Sequence, residues 1–498
     1  MQRNLTAPLL QRVEVRPEPT LDDYAAMAQL TGAVAELRHE AGELVTRLSG
    51  RTVWLVNSTP RGGGVAEMLP TVVRMLRGLG VRTEWVATGS REPAFFDLTK
   101  HLHNLIHGVG EPRLGAEERA LFERVNRANA EALAPLLCAG DLLVVHDPQP
   151  LPLAAMLRER LPLTTVWRCH IGVDLENAAT RAAWTFLDPY LGAYDRAAFS
   201  APEYIPPALA GRASVILPGI DPLAPKNREL SLRESIEVLC NGGLVSCPGP
   251  TVNAPYLGRA RRLRIDGTFA PVGASDGFGL LTRPLVTQIS RWDRLKGFLP
   301  LLHAFRRLKL SREAGAADPG TPGRHLQLAR LVLAGPEADA VQDDPEAAAV
   351  LAELRAAYLS LPPEVQDDIA IITVPLVVPE QSALVINALQ RASTIVVQNS
   401  LREGFGLTIT EAMWKGVPVL SNSRACGPRH QIRDGIVGIL VHDPEDEPEL
   451  ARALAAMLPD PIRLATWGRT AQRRVYDDFL VFRQLRQWGR LLLTIVPG

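Results

Sequence analysis

Cysteine is scarce in this chain. The five cysteines (Cys138, Cys169, Cys240, Cys247 and Cys426) among 498 residues are scattered and odd in number. None lies in a CxxC pair or a Cys/His cluster, which argues against a structural zinc site. Cys240 and Cys247 are near enough in sequence to pair, but free thiols in a reducing cytosol are the expectation. An excess of one charge is also missing, since Lys+Arg and Asp+Glu are 54 each. The chain therefore exerts no long-range pull on nucleic acid or an anionic membrane, and neither is expected as a partner. Long hydrophobic runs are absent too: no stretch approaches the roughly 18 to 20 apolar residues that span a bilayer. The opening MQRNLTAPLLQRVEV has no apolar signal-peptide core, so a cytoplasmic protein is expected.

What remains is globular composition, with 46% hydrophobic and 22% charged residues. The length exceeds one ordinary hydrophobic core and predicts two or three domains. From about Leu21 to Leu48 apolar residues recur at helical spacing (Tyr24, Met27, Leu30, Val34, Leu37). VWLVNS (Val53 to Ser58) then reads as a buried strand, Pro60 to Gly64 as a glycine loop, and Met68 to Leu76 as a helix. Strand, glycine loop and helix open a doubly wound sheet. Further strand-like runs begin at Val81, Asp141, Thr164 and Ala213. Ile220 to Asn227 reads as a linker, and the alternation restarts with runs from Leu285, Ala329, Asp368, Ala392 and Val417. The fold class predicted is α/β, with two Rossmann-like doubly wound domains facing across a cleft. The first spans 1–217 and the second 218–474, with a segment 475–498 crossing back to the first. A turn-rich insertion at about 245–282 reads as β-rich or poorly ordered, and its Arg259, Arg261, Arg262 and Arg264 are better explained as solvated than as an anion site.

Ligands of such sheets collect at the carboxyl ends of strands. Four segments there could carry chemistry. Arg402 to Glu411 follows a strand and enters a helix, with Gly404 and Gly406 allowing close backbone approach and Glu403 and Glu411 placed to grip opposite ends of one ligand. Thr408 and Glu411 equally have the spacing of a capping box, which needs no ligand. Ser290 to Gly297 offers Arg291, Arg294 and Lys296, cations suited to a diphosphate leaving group, or else a solvated basic turn. The Pro60–Gly64 loop lacks both the Lys-Ser/Thr of a P-loop and the spacing of a dinucleotide site. His146-Asp147-Pro148-Gln149 and Cys169-His170 end two further strands and could line an acceptor pocket, although a lone histidine such as His170 is more often structural.

The Glu403-x7-Glu411 loop resembles the signature of the family 4 retaining glycosyltransferases. VNSTPRGGGVAEML, HDPQPLPL, WRCHI, FSAPEYIPP, QISRWDRLKG and NSLREGFGLTITEAMWKGVPVL resemble, in the same order, segments of one branch, the trehalose glycosyltransferring synthases. The resemblance covers about residues 20 to 440. It implies the GT-B architecture and transfer of glucose from a nucleoside diphosphate glucose to free glucose, giving α,α-trehalose with retained configuration.

By the same resemblance Arg291 and Lys296 hold the diphosphate and Glu411 the ribose. Glu403 and the Gly404, Phe405, Gly406 and Leu407 backbone hold the donor glucose. His170 lies against that sugar, and Gly63, Gly64, Asp147 and Gln149 line the acceptor side. No covalent nucleophile and no required metal are implied, since no DxD-type motif is present; Mg2+ as a diphosphate counter-ion and a homodimer stay open. Cys426 and Pro428 depart from the family's Gly-Gly-Ile pattern, Asp174 is displaced from the family's acid, and the insertion is additional. The alternatives are a trehalose phosphorylase, a family 4 transferase with another acceptor, and a catalytically weak sugar-nucleotide-binding protein.

Overall fold

The computed structural model describes residues 9–60, 64–247, 251–272, 278–311, 321–338 and 346–496. The chain divides into two compact units, Met1–Asp221 with Asp478–Gly498, and Pro222–Asp477.

The first unit holds a seven-stranded sheet: β1 (Leu10–Arg12), β2 (Val53–Asn57), β3 (Thr83–Thr88), β4 (Leu142–His146), β5 (Thr164–Cys169), β6 (Arg196–Phe199) and β7 (Ala213–Val215). The spatial order is β1-β3-β2-β4-β5-β6-β7, parallel except for β1. β2 and β4 are buried at every position because helices cover both faces of a parallel sheet. The strand order reverses at β2, so β2 and β4 diverge at a topological switch point. The helical stretch predicted from Leu21 to Leu48 is two helices, Leu21–Ala25 and Thr31–Arg47. Thr31–Arg47 pairs with the late helix Val481–Leu493 through Arg486 bound to Glu36 and Glu40, and Arg490 at 3.1 Å from Glu40. Asp221, the last residue before the second unit, receives Tyr24, Thr71 and Arg74 at 2.8–3.0 Å.

The second unit is an eight-stranded sheet: β8 (Arg261–Leu263), β9 (Phe269–Pro271), β10 (Leu285–Ile289), β11 (Arg330–Pro336), β12 (Ile369–Val374), β13 (Ile395–Val397), β14 (Val419–Asn422) and β15 (Gly438–Val441). Its order is β15-β14-β13-β10-β11-β12-β8-β9, and the reversal falls at β10, between β13 and β11. Two apolar clusters form its core, one around Val286, Leu301 and Phe305, the other around Leu239, Leu285 and Leu389. The insertion supplies the antiparallel β8–β9 hairpin, added to the edge of the sheet against β12. Three of the four arginines singled out there are occupied: Arg261 donates to the Phe269 carbonyl at 2.7 Å, Arg264 to that of Pro271 at 2.6 Å, and Arg262 to that of Ile369 at 3.1 Å. The thiol expectation needs one correction. Cys240 and Cys247 are joined as a disulfide, because the helix Leu232–Asn241 ends in a Gly242–Gly243 turn that carries the chain back on itself. Cys138, Cys169 and Cys426 are free. Among the described residues, no helix is long and apolar enough to cross a membrane.

Candidate functional site

In the second unit, the groups that could meet a ligand gather at the switch point. After β10, the Trp292 indole is fully buried and donates to the Pro336 carbonyl at 2.6 Å, pinning the loop. Asp293 accepts from the Leu295 N–H at 2.8 Å and starts a single tight turn, Arg294–Lys296. Gly297 ends it at φ +63°, where a Cβ would collide with the Asn399 carbonyl oxygen. Asn399, just beyond β13, donates to the Gly297 carbonyl at 3.1 Å, and Gln288 donates to that of Lys296 at 2.8 Å. The Lys296–Gly297 backbone is thus held from β10 and from the residue just beyond β13.

Its ammonium donates to Glu403 Oε2 at 2.7 Å. The same oxygen accepts from Ser400 Oγ at 3.0 Å and Gln398 Nε2 at 3.1 Å. Burial pushes the Glu403 carboxyl upward, but the charge of Lys296 and these three hydrogen bonds outweigh it and hold the pKa below the usual range. The two neighbouring arginines differ. Arg294 is ion-paired with Glu346 at 3.2 Å and with Glu353. Arg291 is exposed, with no hydrogen-bond or ion-pair partner among the described residues.

The next loop ends at Gly406, at φ +86°, which caps the helix Leu407–Trp414 without any side-chain hydrogen bond. The capping-box reading of Thr408 and Glu411 is therefore overturned: the helix begins two residues too early for Thr408 to cap it. Gln431 fixes the loop by donating to the Phe405 carbonyl at 2.5 Å while accepting from Thr410. Glu411 is buried within the helix, 3.8 Å from the Lys226 ammonium. Lys415 donates to the Glu411 carbonyl at 3.0 Å, and burial lowers its pKa to about 7 against the opposing pull of the Glu411 charge. Cys426 and Pro428 occupy the first turn of the short helix Cys426–Gln431. There the amide that proline lacks has no intrahelical partner in any case.

The first unit presents a different set. Asp147 follows β4 at φ +64°, a left-handed conformation that Asp tolerates better than most residues. Its Oδ1 accepts from the His170 N–H at 2.8 Å, and its carbonyl accepts from Trp167 Nε1 at 3.0 Å. Burial raises its pKa to about 6. Gln149 Oε1 is buried with no partner among the described residues, while the backbone carbonyl accepts from Asn126 at 3.1 Å. His146 Nδ1 and His170 Nε2 lie 2.9 Å apart, with rings 5.3 Å between centroids and 11° from parallel. Burial and the nearby Arg168 push His146 down to about 3 and His170 well below its usual value, so both imidazoles are neutral. His146 was expected to line an acceptor pocket as part of its strand end, but its contact with His170 follows only from the pairing of β4 with β5. Gly64 is exposed and opens the helix Gly64–Gly78, and Gly63 lies outside the described residues.

Two doubly wound units with polar groups clustered at their switch points define a GT-B glycosyltransferase fold. Residues 55–206 match the trehalose synthase N-terminal domain family, and residues 376–474 match the glycosyl transferases group 1 family. The chain is 33% identical to the trehalose synthase of Pyrococcus horikoshii, over 91% of this chain and 92% of that protein. It is also 33% identical to the trehalose synthase of Rubrobacter xylanophilus, over 98% and 100%. Among solved structures, the UDP-forming α,α-trehalose-phosphate synthase from Burkholderia vietnamiensis is similar at a TM-score of 0.62 and 18% identity, covering 90% of this chain and 98% of that one. The chain belongs to the trehalose synthase family and is a trehalose-related glycosyltransferase.

Proposed function

We propose that this protein is a retaining glucosyltransferase that moves glucose from a nucleoside diphosphate glucose to free glucose and releases α,α-trehalose and the nucleoside diphosphate. The observation that carries the reading is the Lys296–Glu403 pair, a cation and a carboxylate 2.7 Å apart at the switch point of the second sheet, beside the unpartnered Arg291. Arg291 and Lys296 hold the diphosphate and take up its charge as the glycosidic bond breaks. Glu403 and the backbone of Gly404 to Leu407 hold the hydroxyls of the donor glucose, and Glu411 holds the ribose. His170, neutral and fixed through Asp147, sits against the donor sugar. Gly63, Gly64, Asp147 and Gln149 contact the acceptor.

An acceptor hydroxyl oxygen bonds to the anomeric carbon on the face from which the phosphate oxygen leaves, and the hydroxyl proton passes to that oxygen. Atoms balance without a covalent enzyme intermediate, and catalysis rests on position and charge stabilisation. The chemistry requires no metal, Mg2+ serving at most as a diphosphate counter-ion. The trehalose synthase relatives support the product, and Glu411 favours a nucleotide donor over phosphorolysis, where a ribose-binding carboxylate has no work. We place the protein in the cytoplasm, in keeping with its soluble substrates.

The test incubates purified protein with glucose and a panel of nucleoside diphosphate glucoses, reading trehalose and released diphosphate together. Equal amounts of both with one donor are expected. Trehalose formed only from glucose 1-phosphate, with inorganic phosphate released, would instead identify a phosphorylase.

A further inference from the structure

Beside the histidine pair, the first unit contains a cavity of about 240 Å³, formed between β2, β4 and the helices Thr31–Arg47, Gly64–Gly78 and Val481–Leu493. Ala41, Leu44, Val72, Val144, Leu485 and Trp488 make its walls apolar. A void of this size in a packed interior forfeits many dispersion contacts, so an occupant of matching shape stabilises the fold.

Two further features point to an occupant. His146 lines the cavity and is 5% exposed. Its Nδ1 is taken by His170, while its Nε2 is buried with no partner among the described residues. Water is poorly suited to that atom, because a buried water needs two to four polar partners. Of the other polar groups lining the cavity, Glu40 is engaged with Arg486 and Arg490, Gln484 with the Gly219 N–H at 3.0 Å, and His170 Nε2 with His146 Nδ1. The second feature is Gly489. It lies inside the helix Val481–Leu493 and lines the cavity, and a Cβ there would meet only Leu44 Cδ2 at 3.8 Å. Glycine weakens a helix interior relative to alanine, and here it leaves space that a side chain could fill.

We infer that this cavity is a binding site for a neutral, largely apolar molecule carrying one hydroxyl group, which bonds to His146 Nε2. Scaling from the ~150 Å³ cavity that takes benzene gives a ligand of roughly ten heavy atoms. A hydroxyl both donates and accepts, so it serves whichever tautomer of His146 the contact with His170 selects. The charged residues that line the cavity, Glu40, Arg486 and Arg490, are ion-paired with one another, which disfavours an ionic ligand.

Calorimetric titration of the full chain with 2-phenylethanol and its hydroxyl-free isostere propylbenzene tests the site. Saturable one-site binding is expected, with 2-phenylethanol at least about fivefold tighter, the effect of one net hydrogen bond. Gly489→Leu, which fills the space, should weaken binding of both probes at least tenfold. If that variant misfolds by circular dichroism, Ala41→Phe fills the same cavity from the facing helix. No saturable binding of either probe to the unaltered protein would overturn the proposal, as would undiminished binding in a folded filled variant. Equal affinity for the two probes would overturn the role of His146.

Discussion

The two switch points share a topology and differ in electrostatics. At the carboxyl ends of β10 and β13, charge is concentrated and held: Lys296, Glu403 and the exposed Arg291 stand within one loop system, and Glu403 stays ionised despite its burial. At the ends of β4 and β5, charge is suppressed. Both histidines are neutral, and burial drives Asp147 toward its protonated form. A doubly wound sheet therefore supplies a place for a ligand and not the ligand's identity, which the strand-end residues set. A paired-ion site suits a diphosphate, and a neutral, hydrogen-bonding site suits uncharged sugar hydroxyls.

The largest expected effect comes from breaking the charged side. Lys296→Ala should lower turnover by roughly 10²- to 10³-fold, the scale for removing one group that stabilises developing charge. It should also leave only the hydrogen bonds from Ser400 and Gln398 to oppose burial at Glu403, so its carboxyl protonates at higher pH; the acid limb of a pH–rate profile would move upward. A smaller effect separates the two arginines. Arg291→Ala should reduce turnover by roughly tenfold to a hundredfold. Arg294→Ala, whose side chain is already committed to Glu346 and Glu353, should stay within about twofold, in line with the small worth of exposed ion pairs. Steady-state kinetics on both variants checks this. Glu411→Ala should weaken binding of the nucleotide sugar by about tenfold and leave glucose affinity unchanged, as measured by calorimetry.

The smallest effect belongs to the neutral side. His146 and His170 have folded pKa values lowered from 6.5, so the unfolded chain binds more protons and stability falls as pH drops below about 6.5. Asp147, raised from 3.8 to about 6, works in the opposite sense between those values, because the folded state takes up its proton first. Two histidines against one aspartate leave a net loss of stability as pH falls from about 6 to about 4. His146→Gln should flatten that slope in denaturant titrations across this range.

Much of this contrast was legible in the sequence, and for a physical reason. Parallel strands buried on both faces need continuous apolar runs, so Val53–Asn57 and Leu142–His146 stand out, as do the glycines and polar residues just beyond such runs. What escaped is what depends on three-dimensional neighbours. The Lys296–Glu403 contact joins residues 107 apart, and the donors Ser400 and Gln398 look like ordinary strand-end polar residues. His146 gains meaning only from the register that puts β4 beside β5. β1 is three residues long and not buried at any position, so it has no apolar signature. The insertion read as β-rich or poorly ordered, and the arginines of β8 hid that its hairpin extends the sheet beside β12. Thr408 and Glu411 imitate a cap that the left-handed Gly406 makes unnecessary.

The most direct test of a charged diphosphate side and a neutral sugar side is calorimetric binding of UDP, ADP and GDP to the unaltered protein and to Lys296→Ala, Arg294→Ala and His170→Ala. The expected result is that one nucleoside diphosphate binds, that Lys296→Ala weakens it at least tenfold, and that Arg294→Ala and His170→Ala leave it within about twofold. Undiminished binding to Lys296→Ala, or a loss confined to His170→Ala, would contradict the division of labour between the two switch points.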